Sequence, residues 1–225
     1  MILAAGMGTR LGSPYPKPLT TLVDGRTIMA QQIQNLRAAF GHDVPVMTVV
    51  GFKLELILEA FPNSVYIYNE RYDQTNTSKS LLKAFNAAPE GGVLWMNGDV
   101  VFDPRILTEV SALIEADNSF ICVNTASVGE EEVKYRVDTD GHVNELSKQV
   151  QNALGEAVGI NFVASKDRAA VTKRLVECDD QDYFERGLEL AVEKDGVKLT
   201  PVDIKHLFAV EVDFAEDLSR ANEFL

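Results

Sequence analysis

Between Leu3 and Leu19 the chain reads LAAGMGTRLGSPYPKPL, which sets two cations, Arg10 and Lys17, in a loop otherwise rich in small residues. Small residues let backbone N–H groups close on phosphate oxygens while the cations neutralise their charge. Two aspartates stand where a carboxylate can hold a hard divalent cation: Asp99, just past the apolar run GGVLWM, and Asp213, ending AVEVD. Together these residues suit displacement at phosphorus, in which charge grows on the leaving group and on equatorial oxygens.

Each feature taken singly has a plainer explanation. A Gly-x-Gly can be a tight turn, Asp99 a turn carboxylate and Asp213 a helix cap. The loop also lacks the Lys-Ser/Thr ending of a P-loop and the third spaced glycine of a dinucleotide fingerprint, so neither class is favoured. Asp103 before Pro104, Glu211 and the helical Asp217 are set aside as metal ligands, and the three histidines receive no catalytic role.

The elements that must position these groups alternate along the chain. An apolar start feeds the glycine loop; then come a helix over 27–40, a strand over 45–50, a helix over 53–60 and a strand over 65–68. A helix over 77–88, a strand over 92–96, a helix over 104–116 and a strand over 119–123 continue the rhythm of a parallel, Rossmann-like sheet. Beyond residue 125 the texture turns antiparallel, with Asp140-Gly141 at a hairpin turn. Helices over 165–177, 183–193 and 215–224 close the chain, with two strands flanking Lys205-His206. The expectation is an α/β, three-layer, Rossmann-like sandwich with a mixed, mostly parallel sheet and a small antiparallel extension, as a single domain over 1–225.

With 225 residues, 46% of them hydrophobic, the chain can build one sizeable core. A formal net charge of −13 argues against a surface that tracks nucleic acid. Cys122 and Cys178 form no ligand or disulfide pattern, and no apolar run is long enough to span a membrane, so a cytoplasmic protein is expected. The first strand is short, which leads us to expect residues before Met1.

The string L-A-A-G-x-G-T-R-L followed by P-K-P-L resembles the signature loop of the nucleotidyltransferase superfamily, shared by sugar-phosphate nucleotidyltransferases and by inositol-phosphate and phosphocholine cytidylyltransferases. The resemblance implies a nucleotide-binding role for Leu3, Ala4, Ala5, Gly6, Gly8, Thr9 and Asn97, and a catalytic one for Arg10 and Lys17. It implies Mg²⁺ held by Asp99 and Asp213. The segment from Tyr68 to Leu81 resembles Y-N-x-x-Y-x-x-x-N-x-x-S-L of phosphocholine-type cytidylyltransferases, which makes Asn76 and Ser80 candidates beside the base or ribose; both could equally serve the start of a helix. Lys148 and Glu156 fall in a stretch similar to the one that closes over the acceptor. Tyr135, Tyr183 and Phe184 are candidate walls for a choline-like acceptor, with Phe184 also a candidate for the core and Trp95 assigned to it.

The implied reaction joins a nucleoside monophosphate, from CTP by preference, to a small phosphorylated acceptor such as phosphocholine or 2-aminoethylphosphonate. A sugar or inositol 1-phosphate is the alternative, a nucleotide-sensing module the rival outside enzymes, and a homodimer is left open. A glycosyltransferase is disfavoured because Asp99 and Asp103 are too far apart for Asp-x-Asp.

Overall fold

A computed structural model describes the chain except residues 9, 10, 13, 127, 130 and 131. The main sheet is built from β1 (Ile2–Ala4), β2 (Met47–Val50), β3 (Val65–Tyr68), β4 (Val93–Asn97), β6 (Phe120–Asn124), β7 (Lys134–Val137), β8 (Val143–Ser147), β9 (Gly155–Val163) and β10 (Thr200–Asp203). Its order is β10-β6-β9-β4-β1-β2-β3, with the β7–β8 hairpin attached to β9. A separate two-stranded ribbon pairs β5 (Val100–Phe102) with β11 (Ala209–Glu211).

Successive side chains of a strand point to opposite faces, and here the two faces feed two cores. Leu3, Trp95, Ile121 and Val123 join Leu81, Phe85, Leu175 and Leu188 from α3 (Thr77–Ala87), α5 (Arg168–Glu177) and α6 (Phe184–Asp195). Ile2, Ala4, Met96, Phe120 and Cys122 face the other way, onto Met29, Ile33, Ile57 and Ile106 from α1 (Ile28–Phe40), α2 (Leu54–Ala60) and α4 (Arg105–Glu115). The result is three layers: helices, mixed sheet, helices. Trp95 is fully buried between Phe85 and Phe184, with ring centroids 5.6 and 5.5 Å away in edge-to-face geometry.

The helix boundaries follow local chemistry. The Thr27 side chain accepts a hydrogen bond from the Ala30 N–H at 3.2 Å, and Gly41 ends α1 at φ 94°. The final helix, α7 (Ala215–Phe224), is capped from within: Asp217 Oδ2 accepts from the Phe214 N–H at 2.9 Å and the Asp213 N–H at 3.2 Å.

The structure departs from the sequence expectation at β9. Antiparallel strands were expected as a small extension of the sheet; instead this nine-residue strand lies in the middle, antiparallel to both β4 and β6. It separates strands that a simple parallel rhythm would pair. Among the described residues no helix is long and apolar enough to cross a membrane.

Candidate active site

The register of the β5–β11 ribbon decides the geometry. Val100 lies opposite Glu211, and the Val212 N–H donates to the Asp99 carbonyl at 2.9 Å. Residues more than a hundred positions apart are thereby joined at the carboxyl end of β4. Buried amides of α1 hold the bend from behind: Gln32 Nε2 donates to the carbonyls of Asn97 at 2.8 Å and Val100 at 2.9 Å, and Gln31 Nε2 to that of Phe102 at 2.8 Å. Asn35 Nδ2 also donates to the Phe102 carbonyl at 3.2 Å; a buried carbonyl left without a donor costs about 1–3 kcal/mol.

Because Asp217 caps α7, the Asp213 carboxylate is not committed to the helix and turns toward Lys17. Lys17 begins a short 3-10 turn, Lys17–Leu19, and packs against the glycine loop: a Cβ on Gly8, whose φ is +60°, would lie 2.7 Å from Lys17 Cγ. Its ammonium donates to Asp99 Oδ2 at 3.1 Å and also to Asp213 Oδ1, across sequence separations of 82 and 196 residues. Burial opposes the Lys17 charge, but the two carboxylates outweigh it and hold the pKa above its usual value. Burial pushes the Asp99 carboxyl up despite Lys17. It also pushes Glu211 well up, with repulsion from Asp99 adding to it, while Glu211 Oε1 accepts from Asn97 Nδ2 at 2.8 Å.

A cleft of about 300 Å³ opens over this cluster. Of the residues expected from sequence, Leu3, Ala4, Gly6, Gly8, Lys17, Asn76, Asn97, Asp99, Lys148, Tyr183, Phe184 and Asp213 line it. Asn76 also caps α3, its side chain accepting from the Thr77 N–H at 2.8 Å. Thr9 and Arg10 lie outside the described residues.

The remaining candidates sit elsewhere. Ala5 is buried beside the cleft, with its carbonyl accepting from the Phe52 N–H at 3.1 Å. Ser80 is buried behind Asn76, and its Oγ accepts from Asn69 Nδ2 at 3.1 Å. Tyr135 points into the core beside Leu146 and is 4% exposed, so its ring is no wall of the cleft. Glu156 does not line the cleft either; its Oε2 accepts from the Gly129 N–H at 2.7 Å. Three glutamates also line it: Glu132 and Glu185, which no sequence pattern singled out, and Glu211, which was set aside as a metal ligand. The spacing around them carried no signal, because Glu is read by default as a solvated side chain.

Two carboxylates that converge on one ammonium also fit a divalent cation. Magnesium keeps several waters and is commonly held by one or two carboxylates with substrate phosphates, rather than by a closed protein cage. Among the described residues no cluster of three or more His, Cys, Asp or Glu forms such a cage.

Residues 1–177 match the family model of the MobA-like NTP transferase domain. The CMP-5'-(3-aminopropyl)phosphonate synthase of Streptomyces rubellomurinus is 34% identical over 125 residues, 52% of this chain and 19% of that protein. The bifunctional protein GlmU of Neisseria meningitidis is 28% identical over 222 residues, 93% of this chain and 47% of that protein. The chain thus spans less than half the length of either relative. Among solved structures, the inositol-1-phosphate CTP transferase of T. maritima shares the fold, with a TM-score of 0.78 at 17% identity over 99% of this chain and 92% of that one.

Proposed function

We propose that this chain, which belongs to the family of MobA-like NTP transferase domains, transfers a nucleoside monophosphate from a nucleoside triphosphate to a small phosphorylated acceptor and releases pyrophosphate. The observation that carries the reading is the convergence of Lys17, Asp99 and Asp213 beside the glycine loop.

An oxygen of the acceptor phosphate or phosphonate attacks the α-phosphorus in line, the bond from that phosphorus to the bridging oxygen breaks, and its electron pair leaves with pyrophosphate. No protein nucleophile is required, because positioning and fixed charge lower the barrier. Asp99 and Asp213 would hold magnesium, which supplies positive charge to the phosphates when bound. In that state the Lys17 ammonium turns to the phosphates, and Arg10 acts as the second cation of the loop. Asn76 and Asn97 offer amide groups to the nucleotide.

CTP is the favoured donor and phosphocholine or 2-aminoethylphosphonate the favoured acceptor. The Asn76 segment and the cytidylyl product in the name of the Streptomyces relative support this choice. A second reading, with a sugar or inositol 1-phosphate as acceptor, draws on the cleft carboxylates Glu132 and Glu211, which can accept hydrogen bonds from hydroxyls.

The test is pyrophosphate release with Mg²⁺, pairing CTP, UTP, ATP, GTP and dTTP with phosphocholine, 2-aminoethylphosphonate, inositol phosphate and sugar 1-phosphates. Turnover of one donor–acceptor pair supports the reading. Tight binding of a triphosphate without turnover of any acceptor would replace it with a nucleotide-sensing role.

A further inference from the structure

Among the described residues, the acid end of the cleft carries more carboxyl groups than ammonium groups. Asp99 and Asp213 share Lys17, which leaves Glu132, Glu185 and Glu211 against Lys148 among the described residues that line it. Glu185, in the first turn of α6, is 8% exposed and lines the cleft, yet its Oε2 has no hydrogen-bond partner among the described residues. A buried carboxylate oxygen with no partner is costly, and native proteins keep few of them without a reason.

The neighbouring wall is aromatic. Tyr183, 39% exposed, presents its ring to the cleft, and the Lys148 ammonium lies over it at 4.9 Å from the centroid. A ring face and a carboxylate with one unpartnered oxygen, both on the cleft, are the two elements that hold an alkylammonium ion.

We propose that Glu185, with Glu132 and the Tyr183 ring, forms a subsite for a cationic alkylammonium group on the acceptor, and that Glu185 discriminates charged acceptors from neutral ones of the same shape. The inference rests on the transfer reading above, because the acceptor phosphate must lie toward Lys17 while its other end reaches α6. Polyol hydroxyls could also donate to these carboxylates, but they bring no positive charge to match them. Lys148, displaced from the ring by the incoming ammonium, turns to the acceptor phosphate. Burial, which pushes the Glu185 carboxyl up to about 7, is the expected condition of an acid whose cationic partner is the ligand.

The experiment is calorimetric binding, with a non-hydrolysable CTP analogue and Mg²⁺ present, to the wild type, Glu185→Gln and Tyr183→Leu. The ligands are matched pairs: phosphocholine with its neutral isostere 3,3-dimethylbutyl phosphate, and 2-aminoethylphosphonate with propylphosphonate. We expect the wild type to bind the charged member of at least one pair about tenfold or more tightly, which also tells a quaternary from a primary ammonium. In Glu185→Gln the preference should shrink to about threefold or less, and Tyr183→Leu should weaken the charged ligand more than its isostere. Equal binding of charged and neutral members by the wild type, a preference that survives in a folded Glu185→Gln, or failure of every ammonium compound to bind overturns the subsite. Pyrophosphate release measured in parallel separates the two claims. Ammonium preference without turnover sinks the transfer reading alone, and turnover without ammonium preference sinks the subsite alone.

Discussion

Replacing Glu185 by glutamine should make the protein more stable above neutral pH, although the residue belongs to the proposed site. Burial raises the folded-state pKa of Glu185 to about 7 from an ordinary value of 4.5, so the folded protein keeps a proton that the unfolded chain releases across that window. Stability is therefore lost as pH rises from about 4.5 to about 7, and stays at its lower level above that. The difference between 4.5 and about 7 corresponds to about 3 kcal/mol. Glutamine fills nearly the same space and has no proton to lose. Its advantage over the wild type should be about 1 kcal/mol or less at pH 5 and about 3 kcal/mol at pH 8.5, a gain of about 6–12 °C in Tm for a chain of this size. Thermal unfolding of both proteins from pH 5 to 8.5, without ligands, is the assay. A difference in Tm that does not change with pH, or a wild type that is the more stable at pH 8.5, would refute the reasoning.

Three further outcomes are expected. Asp99→Ala should abolish pyrophosphate release, by about a thousandfold or more, in a coupled phosphate assay; a near wild-type rate would remove Asp99 from the metal site. Lys17→Met removes the ammonium that Asp99 and Asp213 share, so with EDTA present it should lose about 3 kcal/mol of stability, and Mg²⁺ should restore part of it; a Tm equal to that of the wild type in EDTA contradicts the arrangement. Gly159→Ala should cost about 2 kcal/mol, since φ is +69° and the new Cβ would lie 2.5 Å from Glu211 Oε1 and 2.8 Å from Asn97 Nδ2; a Tm within a degree of the wild type would argue against that close packing.

Local signals in the sequence were enough for what depends on neighbours. Thr27 and Gly41 mark the ends of α1, and Asp140-Gly141 lies in the link between β7 and β8, where the hairpin was expected. The glycine loop and both aspartates could be read as a set because their types and order form a recognisable string. What could not be read depends on distant pairing. The ribbon that joins Asp99 to Asp213 rests on a register between segments more than a hundred residues apart. The strand β9 is buried along nearly all its length, so it lacks the polar alternation that betrays a half-exposed strand. Gln31, Gln32 and Asn35 look like surface residues by type, yet they are buried and donate to carbonyls of the Asp99 bend and of β5. Tyr135 was misplaced for the opposite reason: its chemistry suited a ligand wall, but its position in β7 turns the ring into the core.

The most direct test of the central claim follows the oxygen atoms. With Mg²⁺, CTP and phosphocholine or 2-aminoethylphosphonate labelled with ¹⁸O in its phosphoryl group, attack by the acceptor on the α-phosphorus places ¹⁸O in the bridge of the cytidylyl product and none in pyrophosphate. Label appearing in pyrophosphate, or CTP consumed without a labelled cytidylyl product, would contradict the account.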